Sequence, residues 1–409
     1  MIISANAKNQ TARLGDVARF IRGITFKPED IVEPSEDGAV VCMRTKNVQK
    51  DLDQEDIIAV PTKFVRREDL FLRESDILVS TANSWNLVGK CCWVPPLDYD
   101  ATAGGFISIL RAEPTKVFPR YLYYWFNSET TQRSVRHCGR ATTNISNMSF
   151  ERCESIMVPL PPLSEQKRIA DILDKADAIR RKRQEGVFNF DLLSDSLFNQ
   201  LSHDFHIQPQ FVEALIDSQI LLVHKDGNFG GSYPRKHEFG LDGIPFLSAK
   251  HVAPDGTLSK EDVPRLNEEK ARTLPFGWVE RGDVLLAHNA TVGPVALYGG
   301  DYKEALIGTS LTCYRPNPFL LKSEFLFAAL RGSHFQRQLA KAMSQTTRNQ
   351  VPITAQRKLT LHIPPLDQQL FFSEQLSVIR TLRTKHVKAA SEADTLFNSL
   401  VQRAFKGEL

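Results

Sequence analysis

The chain has 409 residues, 42% of them hydrophobic and 24% charged, with a net charge of +3. These values fit an ordinary globular protein of two or three domains and exclude a disordered or collagen-like chain. No run reaches the roughly 18 apolar residues of a membrane span, and residues 1–14 hold no apolar signal-peptide core, so no membrane partner is expected. The six cysteines, at 42, 91, 92, 138, 153 and 313, form no Cys-x-x-Cys pair and no zinc-spaced cluster with histidine. Reduced thiols, a cytoplasmic location and no bound metal are therefore the expectation.

In chain order, the apolar runs at 76–80 and 106–110 are bounded by turn residues and predict strands. A helix is predicted over 121–126, with Pro119 as its start signal. The element Val-Pro-Leu-Pro-Pro-Leu-Ser-Glu-Gln at 158–166 then introduces a long helical pattern, with Ser164 as an N-cap that lacks the usual acid three residues on. Apolar residues recur there at 3-4 spacing through Ile169, Leu173, Ile179, Leu193 and Leu197, the signature of a coiled-coil seam. Gly186 lies inside this helix and is expected to weaken or bend it.

The second half repeats the plan. Strands are predicted at 283–287 and 310–314, and a helix at 325–330 with Ser323 as its start. His-Ile-Pro-Pro-Leu-Asp-Gln-Gln at 362–369 returns the Pro-Pro element about 203 residues on and leads into a second seam through Phe372, Leu376, Ile379, Leu382, Leu396 and Leu400. Most other matches, including Gln132-Arg133 with Gln336-Arg337, lie near an offset of 204. The reading is α+β: two similar domains at 1–160 and 206–363, with helical spacers at 161–205 and 364–409. Two helices with one apolar stripe each are expected to pack on each other as a rod with a globular domain at each end. Packing of each helix on its own domain is the other arrangement.

No catalytic engine is legible. There is no Gly-x-x-x-x-Gly-Lys-Ser/Thr loop, no Gly-x-Gly-x-x-Gly fingerprint and no Asn/Asp-Pro-Pro-aromatic tetrapeptide of an adenine methyltransferase. Gly227-Asn-Phe-Gly-Gly231 reads as a turn, and the Asp-x-Lys spacing at Asp301 and Lys303 is too short a match to carry weight. Charge, by contrast, is clustered. Residues 130–150 hold no acid but carry Arg133, Arg136 and Arg140; residues 325–366 hold none but carry Arg337, Lys341 and Arg348 among six cations. Each stretch contains a polar loop, one with Thr143 and Asn144, the other with Thr347, Arg348 and Asn349. Such side chains reach phosphates and read base edges. Two further loop pairs are candidates for the same surfaces: Arg44, Lys46 and Asn47 with Lys250 and His251, and Asn83 with Asn289. Matched basic patches point to double-stranded DNA; a solvated face with counterions is the bland reading.

Arg13-Leu-Gly-Asp16 leading to Phe20-Ile-Arg-Gly-Ile-Thr25, the element Pro159-Leu-Pro-Pro-Leu-Ser-Glu-Gln-Lys-Arg-Ile169, and the closing Leu396-Phe397 with Arg403-Ala-Phe-Lys-Gly-Glu-Leu409 occur in this order. On these motifs the chain resembles, over essentially its whole length, the specificity subunit of a type I restriction–modification enzyme. The second Pro-Pro copy departs from the pattern at Asp367 and Gln368. The resemblance implies two target-recognition domains, each reading half of an interrupted DNA sequence, and an antiparallel coiled coil of the two long helices that scaffolds two methyltransferase subunits. Restriction/translocase subunits, a role in phage defence, and S-adenosylmethionine, ATP and Mg on the partner subunits are likewise implied, with no cofactor on this chain. An enzyme with an unrecognised nuclease or methyltransferase site, and a coiled-coil adaptor without DNA contact, are the alternatives.

Overall fold

A computed structural model of the chain describes residues 10–141, 146–204, 207–253, 255–343 and 349–409. It divides into two units, one formed by residues 1–183 and 389–409, the other by 184–388.

The first unit is built on a four-stranded antiparallel sheet in the order Ala18–Arg22, Ile107–Ala112, Ile77–Ser80, Cys91–Trp93. Both faces are covered, which is why its strands read as continuous apolar runs. Ile77, Val79 and Leu110 point into one core with the helix Pro119–Phe126. Their neighbours Leu78, Ile107 and Ile109 point into another. That second core is closed by a smaller sheet in which Ala39–Met43 pairs antiparallel with Ile58–Pro61 and parallel with Ala101–Ala103.

The second unit repeats this. Its large sheet runs Leu221–Asp226, Leu311–Pro316, Val284–Asn289, Thr291–Leu297. Val284 and Leu286 face one core, Leu285 and Ala287 the other. Ile244–Leu247 pairs antiparallel with Arg265–Leu266 and parallel with Leu306–Ile307, as in the smaller sheet of the first unit. The expected strands and the helices Pro119–Phe126 and Ser323–Arg331 are therefore present in both halves. Each of the four strands starts one residue later than expected, at Ile77, Ile107, Val284 and Leu311, and Phe106 lies on the turn before its strand. Gly227 lies in the bend after its strand, and its equivalent Gly23 directly follows Ala18–Arg22. A Cβ at either would stand 2.0 or 2.1 Å from the carbonyl oxygen of Ile307 or Gly104, too close for any residue but glycine.

Buried ion pairs are duplicated too. The Arg111 guanidinium donates to both Asp76 oxygens at 2.7 and 2.6 Å and to the carbonyls of Asp69 and Phe71. Arg315 donates to both Asp283 oxygens at 2.7 Å. The Pro-Pro elements receive their explanation from the last residue they share. Gln166 donates to the Pro161 carbonyl at 2.8 Å and accepts from the Phe118 N–H at 2.8 Å. Gln369 does the same with Pro364 and the Lys322 N–H. Each glutamine thereby fastens the start of a long helix to the helix that precedes it in its own domain.

The long helices are Leu163–Asp204 and Leu366–Lys406. Ser164 lies within the first of them; the carbonyl of Pro162 accepts from the N–H groups of Glu165 and Gln166 in the role expected of a cap. The first helix runs unbroken through Gly186, where a Cβ would meet His386 at 3.2 Å, so glycine serves a close helix–helix approach. In the first unit Ile169, Ala170 and Leu173 share a core with Phe397 and Ala404, and Arg168 donates to the Leu409 carbonyl at 3.0 Å. In the second, Phe198 meets Phe372 at 5.9 Å and Phe190 meets His386 at 4.8 Å between ring centroids. Within each unit the two helix segments thus lie side by side in opposite directions.

The expected seam needs a partial correction. Ile169, Leu173, Phe372, Leu376 and Ile379 are buried, and Leu197 and Leu400 pack on the cores. Ile179, Leu193, Leu382 and Leu396 are 55%, 50%, 41% and 57% exposed. The inward positions near them belong to other residues. Asp177 is buried, Arg180 lies 4.2 Å over the Phe397 ring, and in each Leu-Phe pair the phenylalanine turns in. A frame drawn through apolar residues alone slips where polar side chains occupy the inner stripe.

Candidate nucleic-acid interface

In each unit the loops at one edge of the large sheet converge. In the first, the strand Ile77–Ser80 continues into Ala82–Asn83, which pairs with Ser146–Met148, and that pairs with Gly139–Ala141. The turn before Ile107–Ala112 docks beside them: the Phe106 carbonyl accepts from the N–H groups of Thr81 and Ala82 at 2.9 and 3.3 Å. The N–H of Gly104 reaches the Met43 carbonyl, bringing the loop after Ala39–Met43 to the same edge. Asn83 is therefore gathered with the hairpin that carries Arg140 on its backbone and with the loop of Arg44 and Lys46.

The second unit shows the same convergence. Asn289 bridges to Gln350, and the Ala290 N–H donates to the Asn349 carbonyl at 2.9 Å. Ala290 holds φ +66, a left-handed conformation that tightens the hairpin tip. The His288 N–H donates to the Ser310 carbonyl, and the Ser310 hydroxyl accepts from the Ala249 N–H at 2.9 Å, tying in the loop of exposed Lys250. Helix Ser333–Met343 flanks this edge through Gln336, which donates to the Gly293 carbonyl at 3.0 Å, and presents Arg337 and Lys341 to solvent.

Two expected readers are interior. Asn47 is 0% exposed; its amide accepts from the Arg44 N–H and donates to the Asp53 and Asp56 carbonyls. His251 is 2% exposed, with Nδ1 accepting from the Ser248 N–H. Both fold their loops; neither side chain faces solvent. Thr143, Asn144, Thr347 and Arg348 lie outside the described residues, as does the side chain of Arg140. Several of the expected cations meet acids in space. Arg133 pairs with Glu129, while Arg44 and Lys46 both pair with Asp56. Among the described residues, Arg136, Lys250 and Arg337 have no carboxylate partner. Sequence reasoning missed Phe106, 67% exposed at the tip of its turn, and Trp85, which lies edge-on to His137. Gly104-Gly105 before Phe106 was the available signal for that turn.

Beneath the second cluster sit two buried histidines. His288 contacts the Val351 carbonyl at 3.1 Å, and His224 lies against the Tyr314 ring. Burial pushes His224 down to about 4 and lowers His288 as well. An unfolded histidine takes up a proton near pH 6.5 while folded His224 stays neutral, so stability present above that pH is lost as the pH falls towards 4. The expected loss from His224 is about 3 kcal/mol. Unfolding monitored from pH 7 to 4 should show it in the wild type and show a smaller loss in His224→Leu; identical profiles would refute the assignment.

Two homologous heads, each with converging loops and unpaired cations, define a sequence-reading DNA-recognition protein. The model of the type I restriction modification DNA specificity domain matches residues 6–187 and 256–388, and the chain belongs to that family. Its members are DNA-recognition subunits and not catalytic ones. The chain is 28% identical over 164 residues to the EcoKI specificity subunit of Escherichia coli K12, a match covering 40% of this chain and 35% of that subunit's length. It is 22% identical over 408 residues to the MjaVIII specificity subunit of Methanocaldococcus jannaschii, covering 91% of this chain and 86% of that one. The fold is that of the S subunit from M. genitalium (TM-score 0.56, 14% identity, 99% and 98% of the two chains). A chain from a structure of type I restriction–modification complex assembly gives a TM-score of 0.55 at 17% identity, covering 98% of each chain.

Proposed function

We propose that the chain reads a bipartite, interrupted DNA target, one part by each unit, and joins the other subunits of a type I restriction–modification enzyme. The observation that carries this reading is the duplication itself: the same loops converge at the same sheet edge in both units, with different side chains on them. Ala82, Asn83 and Phe106 stand in one unit where Asn289, Ala290 and Ser310 stand in the other, which suits two different half-sites. In this reading Arg136 and Arg337 contact phosphates and Asn83, Asn289 and Lys250 contact bases. On the same reading the two long helices pair as an antiparallel coiled coil on which two methyltransferase subunits dock. S-adenosylmethionine, ATP and Mg belong to those subunits and to the restriction/translocase subunits. Among the described residues no helix is long and apolar enough to cross a membrane; a cytoplasmic place of action is part of the proposal.

The test is to map methylated adenines in cells carrying this chain with its methyltransferase. A split motif with one modified adenine in each part is expected, and Arg337→Ala should lower the salt slope of binding by about one. A short continuous motif would refute the bipartite reading.

A further inference from the structure

We propose that a cavity of about 400 Å³ in the second unit is a binding site for a phosphoryl oxyanion, held by Arg331, Arg380 and Arg383. The three side chains come from different places, Arg331 from the end of Ser323–Arg331 and the other two from the C-terminal helix; all three line the cavity, and Arg331 and Arg380 meet at Phe327. The guanidinium of Arg331 lies 5.3 Å and that of Arg380 4.7 Å from the Phe327 ring centroid. Among the described residues, neither has a hydrogen-bond or ion-pair partner. Of the two carboxylates that line the cavity, Asp255 pairs with Arg383 at 3.2 Å, so that arginine is already partnered, and Asp301 pairs with Lys260 at 3.3 Å; neither pairs with Arg331 or Arg380. A ring face is a weak substitute for a counter-ion. Arg380 is held below its ordinary pKa by burial and by the charge of Arg331, with Glu324 opposing.

The first unit shows what the same scaffold looks like when its charge is balanced internally. Counting 203 residues back along the helices, Arg380 corresponds to Asp177 and Arg383 to Arg180. Asp177 is buried and accepts from both Arg180 and Arg181, and Arg181 reaches Asp51 at 2.6 Å. Arg120 pairs with Asp174 at 2.7 Å, where the second unit has Ser377. So each of these first-unit arginines has a carboxylate, whereas the second unit has exchanged the central acid for another base. Two half-buried guanidiniums around one ring repel each other, and an entering phosphoryl oxyanion relieves that repulsion while filling their donor forks. The volume exceeds one phosphate and leaves space for the group it is esterified to. A DNA phosphodiester and a free phosphate share this chemistry.

Calorimetry with inorganic phosphate and the full chain tests the site. Wild type is expected to bind. Arg380→Asp, which restores the acid of the first unit, and Arg331→Gln, a mild change on a half-exposed side chain, are each expected to bind about tenfold more weakly. A parallel salt titration of duplex binding identifies the source. A slope lower by about one in both variants marks a DNA phosphodiester; an unchanged slope with weakened phosphate binding marks a free phosphate. Phosphate binding equal in all three proteins, or absent from the wild type, overturns the proposal. The duplex arm rests on the DNA-recognition reading: a wild type that binds no duplex sinks that reading and leaves the calorimetric result standing.

Discussion

Asp76→Ala is expected to destabilise the first unit by about 3–5 kcal/mol, a large part of the 5–15 kcal/mol that holds a typical domain together. Arg111 is only 9% exposed, and both Asp76 oxygens neutralise it at 2.7 and 2.6 Å. Removing the acid leaves a buried cation held by two carbonyls alone. Asp76→Leu combined with Arg111→Met should recover most of the loss, because a buried pair replaced by apolar volume is close to neutral. Asp283→Ala in the second unit should cost less: Arg315 is more exposed and keeps Glu280 at 2.8 Å. Urea unfolding of the single and double variants measures all three. An unchanged midpoint for Asp76→Ala would mean that the pair contributes nothing to the fold.

Leu173→Asp should be at least as damaging, above about 4 kcal/mol, since it removes a fully buried side chain and leaves a charge without a partner. The affected core joins the start of one long helix to Phe397 and Ala404 of the other. Leu193→Asp is the informative control. A seam frame drawn on apolar spacing makes the two substitutions equivalent, whereas the half-exposed position of Leu193 predicts a change within about 0.5 kcal/mol. Thermal unfolding of both variants decides between the frames; equal losses would restore the simpler seam.

The contrast marks how far the sequence could be read. Strands buried on both faces leave unbroken apolar runs, so Ile77–Ser80 and Val284–Asn289 were legible in outline, and the Pro-Pro elements announced both helices. The inner stripe of those helices was less legible, because Asp177, Arg180, Gly186 and His386 do apolar residues' work through ion pairs and close approach. At the candidate interface, residue type alone did not separate Asn83, at the loop edge, from Asn47, which folds its loop from inside. Nor could local charge show that Arg44 and Lys46 share Asp56, since that carboxylate approaches from another stretch of chain. Phe106 escaped notice because an aromatic beside a strand is ordinarily core.

The division of the molecule also sets an order of assembly. The unit that comes first in sequence is completed by residues 389–409, while the other needs nothing beyond residue 388. On a translating ribosome the later-encoded head therefore has all its parts before the earlier one, whose core waits, open at the place of Phe397 and Ala404, for the last turns of helix to emerge.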